Sequence, residues 1–219
     1  MAEGLEAENV LRSMVARYAS FDSYSDRGEV TVQHFEGQFE TQTPFSTLYQ
    51  RMPLLFRFEC VRSHPHPPLK HIKARHVTGF DGTNAFTIKR KHKGEPEFES
   101  IQQMSLAIAG ACVYSNGAVA TIGNLFFPDP KIGALPATDL VNAEVHQDIA
   151  IDGDACYVIS SVNPRLGIKV ELAIEKERLI LRRRVLESET VRFEECRVNI
   201  RVNESIERSL FAAELNELP

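Results

Sequence analysis

The sequence predicts an α+β fold, mainly β: a curved antiparallel half-barrel of about 10-11 strands, with an N-terminal helix and a helical insert covering the concave face. Three observations predict it. The stretch from Gly37 to Ser63 alternates in two runs that meet at Met52-Pro53. The stretch from Glu97 to Asn124 changes to helical period and small side chains. Everything after Val141 is a series of alternating runs divided by turn signals every ~8–12 residues.

In the first of these stretches, Phe39, Thr41 and Thr43 share one strand face, opposite Glu40 and Gln42. After the Met52-Pro53 turn, Leu54, Phe56, Phe58 and Cys60 point one way, and Arg57, Glu59 and Arg62 fall largely on the other. Side chains alternate across a strand, so one face is apolar and one is wet. Pro44 has no N–H for a ladder and marks an edge, a bulge or a bend, and a bend lets a sheet curl.

The elements follow in order. Residues 5–19 carry Ala7, Val10, Leu11, Met14, Val15 and Tyr18 at helical spacing. Acidic residues crowd the start of this helix, and Arg12 and Arg17 come later, as the helix dipole prefers. The alternative is a membrane-surface helix, but the polar face is mixed rather than basic, which favours packing on the sheet. Asp22 to Gly28 reads as a loop, and Val30 to Phe35 as the first strand. Pro65, Pro67 and Pro68 exclude regular structure after the opening hairpin. Strands are expected at 70–78 and 85–91, joined by a hairpin turn at Asp81-Gly82. The helical cover is expected over 97–126, broken at Ser115-Asn116-Gly117, with a second short helix from Ala118 to Phe126. Strands then follow at 141–149, 155–162, 168–174, 179–186 and 190–202, before a tail with one helical turn. One meander with one helical interruption predicts a single domain over residues 1–219.

Composition excludes several functions. Apolar residues make up 43% and charged residues 25% of 219, ordinary for a globular chain. A net charge of −5 argues against nucleic acid. The most apolar stretch, 104–114, is about half a bilayer span. Residues 1–10 are acidic and lack a secretory signal's basic and apolar regions. That fits either a cytoplasmic protein or a chain whose leader has been removed. The four cysteines, at 60, 112, 156 and 196, form no CxxC pair and read as buried thiols, with one or two disulfides as the alternative.

No GxSxG, HExxH, P-loop or GxGxxG pattern is present, so the chain is not read as an enzyme, and no cofactor is expected. The acid pairs Asp152/Asp154 and Glu194/Glu195 read as solvated surface. His64 and His66, with His71 and His76 nearby, read as a solvated loop rather than a metal site, because no carboxylate or cysteine has the spacing to complete a shell. The basic runs 89–93 and 182–184 read as hairpin solubility residues, with lipid phosphate or a membrane surface as the alternative.

Three stretches resemble a known family: VARYASFDSYSDRGEVTVQHF, PFSTLYQRMPLLFRFE, and the hairpin AIDGDACYVI with the later EKERLILRRRV. The second is similar to an F-x-x-x-x-x-R-P-x-x-F-R-F-E hairpin, with Met52 between Arg51 and Pro53. The order of elements and these motifs resemble the LolA/LolB-like superfamily of lipoprotein carriers and lipid-binding envelope proteins. The resemblance implies a half-open barrel with an apolar cavity for the acyl chain of a lipid or lipoprotein. It also implies a periplasmic or cell-envelope location and a trimmed leader. An envelope-stress sensor that takes polypeptide in the same groove is the alternative. On this reading the cavity is lined by Phe39, Phe56 and Phe58 from the sheet and by Met104, Ile108, Ala109 and Val113 from the helical cover. The cover's small residues either leave a hole or let helix and sheet approach closely.

Overall fold

The structure is a computed structural model describing residues 2–36, 39–64, 69, 72–91, 94–127, 140–163 and 167–213. Its core is one open antiparallel sheet of 11 strands in the order β6-β5-β4-β3-β2-β1-β11-β10-β9-β8-β7. The first half supplies β1 (Ser23–His34), β2 (Phe39–Gln50), β3 (Leu55–Ser63), β4 (Lys73–Phe80), β5 (Ala85–Lys91) and β6 (Glu97–Ile101). The second supplies β7 (Glu144–Ile151), β8 (Asp154–Asn163), β9 (Ile168–Glu175), β10 (Leu181–Glu187) and β11 (Val191–Val202). Each half is a meander, and the two meet at the central β1–β11 pair. Register shifts at Ser25/Arg27, Leu181/Arg183 and His146/Ile149 are bulges of the kind that bend a sheet.

Helices cover the concave face. Helix α1 (Ala2–Ala19) packs near β7, burying Ala7, Val10, Leu11, Met14 and Tyr18. Helix α2 (Met104–Ala111) lies over β4, β5 and β6. Helix α3 (Ala118–Phe126) runs between them and buries Ala118 through Leu125. An aromatic cluster fills the centre: Phe126 stacks on Tyr49 at 4.0 Å and meets Tyr18 and Tyr24 edge-on at 5.4 and 5.2 Å. The C-terminal segment crosses the convex face. There the turn Arg208–Phe211 buries Phe211, Ala212 accepts a hydrogen bond from Arg57, and Ala213 packs on Val77, Phe86 and Ile88.

The opening hairpin forms with its turn at Met52-Pro53, but Leu54 lies exposed in that turn, and the face expected to be wet is buried at Arg57 and Glu59, which neutralise each other. Pro44 sits where β2 parts from β3: the β2–β3 ladder stops at Phe45↔Cys60, while the β1–β2 ladder continues to Phe39. The turn between α2 and α3 bridges the split, with Asn116 donating to the Thr43 hydroxyl at 3.1 Å and Arg62 to the Val113 carbonyl at 3.0 Å.

The structure corrects several expectations. Ser23 to Gly28 is strand, not loop. Asp26 is buried there because Arg197 neutralises it, and Gly28 is required because a Cβ would overlap the Cys196 carbonyl and the Phe45 ring. Residues 97–101 form an edge strand, so the helical cover begins at Met104. Glu195, Arg182 and Arg184 are buried rather than solvated. Arg182 reaches Asp152, Asp154 and Glu175 at 2.7, 2.8 and 3.1 Å, so the Asp152/Asp154 turn is half of an ion-pair cluster. All four cysteines are free thiols, in line with the first of the two readings, but only Cys60 and Cys156 are buried, Cys112 and Cys196 being half-buried. Burial pushes the Cys60 thiol up to about 12, an unreactive state. His66, His71, His92 and Lys93 lie outside the described residues.

Candidate functional site

The concave face has two regions. At its centre, beneath α3, lies a buried ion cluster. Arg197 contacts Asp26 at 2.5 Å and Glu195 at 2.5 Å, and donates to the Ala118 carbonyl at 3.1 Å. Glu195 also accepts from Thr121 at 2.8 Å, and the Thr121 hydroxyl takes a hydrogen bond from Arg184. Tyr24 donates to Asp26 at 2.6 Å. Two arginines face two carboxylates, so the cluster is neutral. Its groups are committed to one another and anchor α3, which gives it a structural role.

The second region is an open groove of about 460 Å³ between α2 and strands β4, β5 and β6. Its wall includes His76, Thr87, Lys89, Glu99, Ile101 and Leu106. Pairing explains the wall: Cys60 lies opposite His76, His76 opposite Lys89, and Thr87 opposite Glu99, so His76, Thr87, Lys89 and Glu99 share the concave side with Phe56 and Phe58. The His76 ring stacks on Tyr114 at 4.4 Å, and the Lys89 ammonium lies 5.6 Å from the centre of the same ring. Burial, then the nearby Lys89 charge, lowers the His76 pKa to about 4, so the ring is neutral at pH 7.

The residues expected to line a cavity divide into two groups. Phe56, Phe58 and Ile108 are buried in one apolar cluster, with Met104 half-buried against it. Phe39 is 36% exposed at the far end of β2, stacked on His34 at 4.3 Å. Ala109 and Val113 face outward, Val113 at 69% exposure. Over the floor, the Phe58 ring stacks on Phe45 at 5.5 Å and Phe56 meets Phe127 edge-on at 5.5 Å. The small residues bring the helices together: a Cβ on Gly123 would lie 3.2 Å from an Ile108 methyl. Phe127 covers Phe56, while Phe45 is a neighbour of Phe58 on the floor itself.

Comparison with known proteins yields no matching family model and no matching curated protein. Among solved structures, the chain is similar to LprF from Mycobacterium bovis, with 14% identity, TM-score 0.46, and 92% of this chain and 95% of that one covered. It is similar to a DUF1329 family protein from Desulfovibrio piger, with 9% identity, TM-score 0.44, and coverage of 96% and 98%. It is also similar to a domain assigned to outer membrane lipoprotein sorting from Vibrio parahaemolyticus, with 9% identity, TM-score 0.40, and coverage of 95% and 97%. At these scores the function rests on the chain's own residues.

Sequence reasoning missed Thr87, named Lys89 only within the basic run 89–93, with lipid phosphate as the alternative, and placed His76 only beside the proline-rich loop. Val77 is the apolar residue of its run, so alternation suggests that Val77 points to the core and His76 to solvent. The register Cys60↔His76 reverses this, because Val77 belongs to the smaller convex core.

Proposed function

We propose that this protein binds the acyl chain of a lipid or lipoprotein in the bacterial cell envelope, without catalysing a reaction, and that α2 is a displaceable cover over the concave face. The supporting observation is α2 itself. Its eight residues, MSLAIAGA, carry no charge and are apolar on both faces. Ala107, Ile108 and Ala111 face in, while Leu106, at 59% exposure, and Ala109 face out. A helix this short is marginal alone and depends on its packing, and its packing is light. One isoleucine, two alanines and half a methionine are worth roughly 5 kcal/mol of burial. A 12-carbon chain laid in place of α2 gains about 10 kcal/mol before ordering costs. That gross gain exceeds the packing of the cover on β4, β5 and β6. The motif resemblance supports the ligand class and the envelope location.

Native mass spectrometry after gentle purification, followed by hydrogen exchange with and without palmitate, tests this. The expected result is co-purifying lipid, with palmitate changing amide protection in 104–111 while α3 holds. A lipid-free mass together with unchanged exchange at saturating palmitate rejects the proposal.

A further inference from the structure

The groove beside α2 holds polar groups that the fold does not use. His76 is 1% exposed and Thr87 3% exposed, yet neither the two ring nitrogens nor the hydroxyl has a hydrogen-bond partner. A buried polar group left unmet costs about 1–3 kcal/mol. Three such atoms in one wall of one groove therefore amount to a substantial cost to stability. Thr87 and Lys89 share a face of β5, and His76 is the cross-strand partner of Lys89, so imidazole, hydroxyl and ammonium are immediate neighbours. Tyr114, in the turn that follows α2, covers His76 and underlies Lys89. A movement of α2 that carries this turn along uncovers His76 and releases Lys89 from the ring.

We propose that His76, Thr87 and Lys89 receive an oxygen-rich anion, the carboxylate or phosphate headgroup of an amphiphile whose chain lies under α2. This rests on the acyl-chain reading above. The donor set fits: an ammonium, a hydroxyl and one imidazole N–H converge, and a carboxylate or phosphate presents two or more acceptor oxygens. The carboxylates of Glu99, at the same groove, and of Glu97, the cross-strand partner of Lys89, lie on β6, both exposed to solvent, where their opposing charge is screened. Beneath His76, on β3, Cys60 is a neutral thiol, and Tyr114 contributes a ring face. Lys89 is thus the cation that faces the imidazole. An anion seated there offsets the Lys89 charge and accepts from the ring N–H, so it raises the His76 midpoint.

The test is an NMR pH titration of the His76 ring in the full chain, with laurate, 1-dodecanol or inorganic phosphate as probe. Laurate is expected to raise the midpoint from about 4 by about one unit or more, and dodecanol to leave it in place. Lys89→Gln should weaken laurate about tenfold and dodecanol hardly at all. A shift with phosphate alone supports the site and identifies a free anion as sufficient, whereas a shift that needs laurate supports it as a lipid headgroup site. If laurate binds while the His76 midpoint stays in place and Lys89→Gln has no effect, the headgroup site is overturned and the acyl-chain reading stands. If neither amphiphile binds but phosphate still moves His76, the anion site stands and the acyl-chain reading falls. If no probe moves His76, the site is overturned.

Discussion

Arg197 donates to Asp26 on β1, to Glu195 two residues back on its own strand and to the Ala118 carbonyl at the start of α3. One guanidinium, 1% exposed, thus ties the central strand pair to the central helix. Such a pair is costly to break from one side, because the partner stays buried and charged. Arg197→Met is expected to cost about 3–5 kcal/mol in urea unfolding. Asp26 should carry most of that loss: its Oδ1 is already without a hydrogen-bond partner, whereas Glu195 retains Arg184 at 3.7 Å. The double variant Arg197→Met with Asp26→Leu should therefore recover much of the loss. The same cluster explains why residues 22–28 read as loop in the sequence. Serine, aspartate and glycine are the usual composition of a turn, and nothing local reveals that an arginine 171 residues away neutralises Asp26.

At the scale of elements, α2 and α3 meet where Gly123 faces Ile108. Gly123→Ala adds a methyl that Ile108 accommodates by a shift of a few tenths of an ångström, and a helical glycine replaced by alanine gains about 1 kcal/mol, so stability should stay close to wild type. Gly123→Leu overfills the contact and should lose about 1–3 kcal/mol. Its hydrogen exchange should rise across 104–111 more than across 118–126, since α3 is also anchored through the Arg197 cluster. Legibility follows the same physics. β5 was readable to the residue, Ala85 to Lys91, because alternation and an Asp-Gly turn bound it. Phe56, Phe58 and Ile108 were readable as interior. Ala109 was not, because MSLAIAGA is apolar all round and so gives no helical phase, and Val113 was not, because the helix ends at Ala111 and leaves Val113 in the turn beyond it. Phe39 shares a face with Thr43, but β2 runs beyond the end of β3 pairing and carries Phe39 past the core. The edge strand β6 was hidden by its neighbourhood. Its Glu97 and Glu99 are the kind of charges that discourage a foreign strand from adding to an open edge.

Among the described residues the molecule has two cores, one on each side of the sheet. The larger lies under the helices, and the smaller joins Val77, Phe86 and Ile88 to the C-terminal segment. Both faces of β3 are therefore buried, including Arg57 and Glu59, which pair with each other, Glu59 also pairing with Arg75. Ending the chain at residue 207 removes Phe211, whose burial is worth about 1.5–3 kcal/mol, and bares the smaller core. The expected outcome is a lower melting temperature and new binding of a hydrophobic dye such as ANS, with the far-UV spectrum little changed. An unchanged dye signal would mean that the segment does not shield that face. The strand order has a consequence for biosynthesis. Tyr24 pairs with Val202, so the middle of the sheet joins its first strand to its last. While a ribosome is still making the second meander, β1 has a bare flank of backbone donors and acceptors, and Asp26 waits for its counter-ion. Completion is late. A nascent chain of this design remains open along its midline until the final strand emerges, and that long-range closure makes for slow folding and a long exposure to helper proteins.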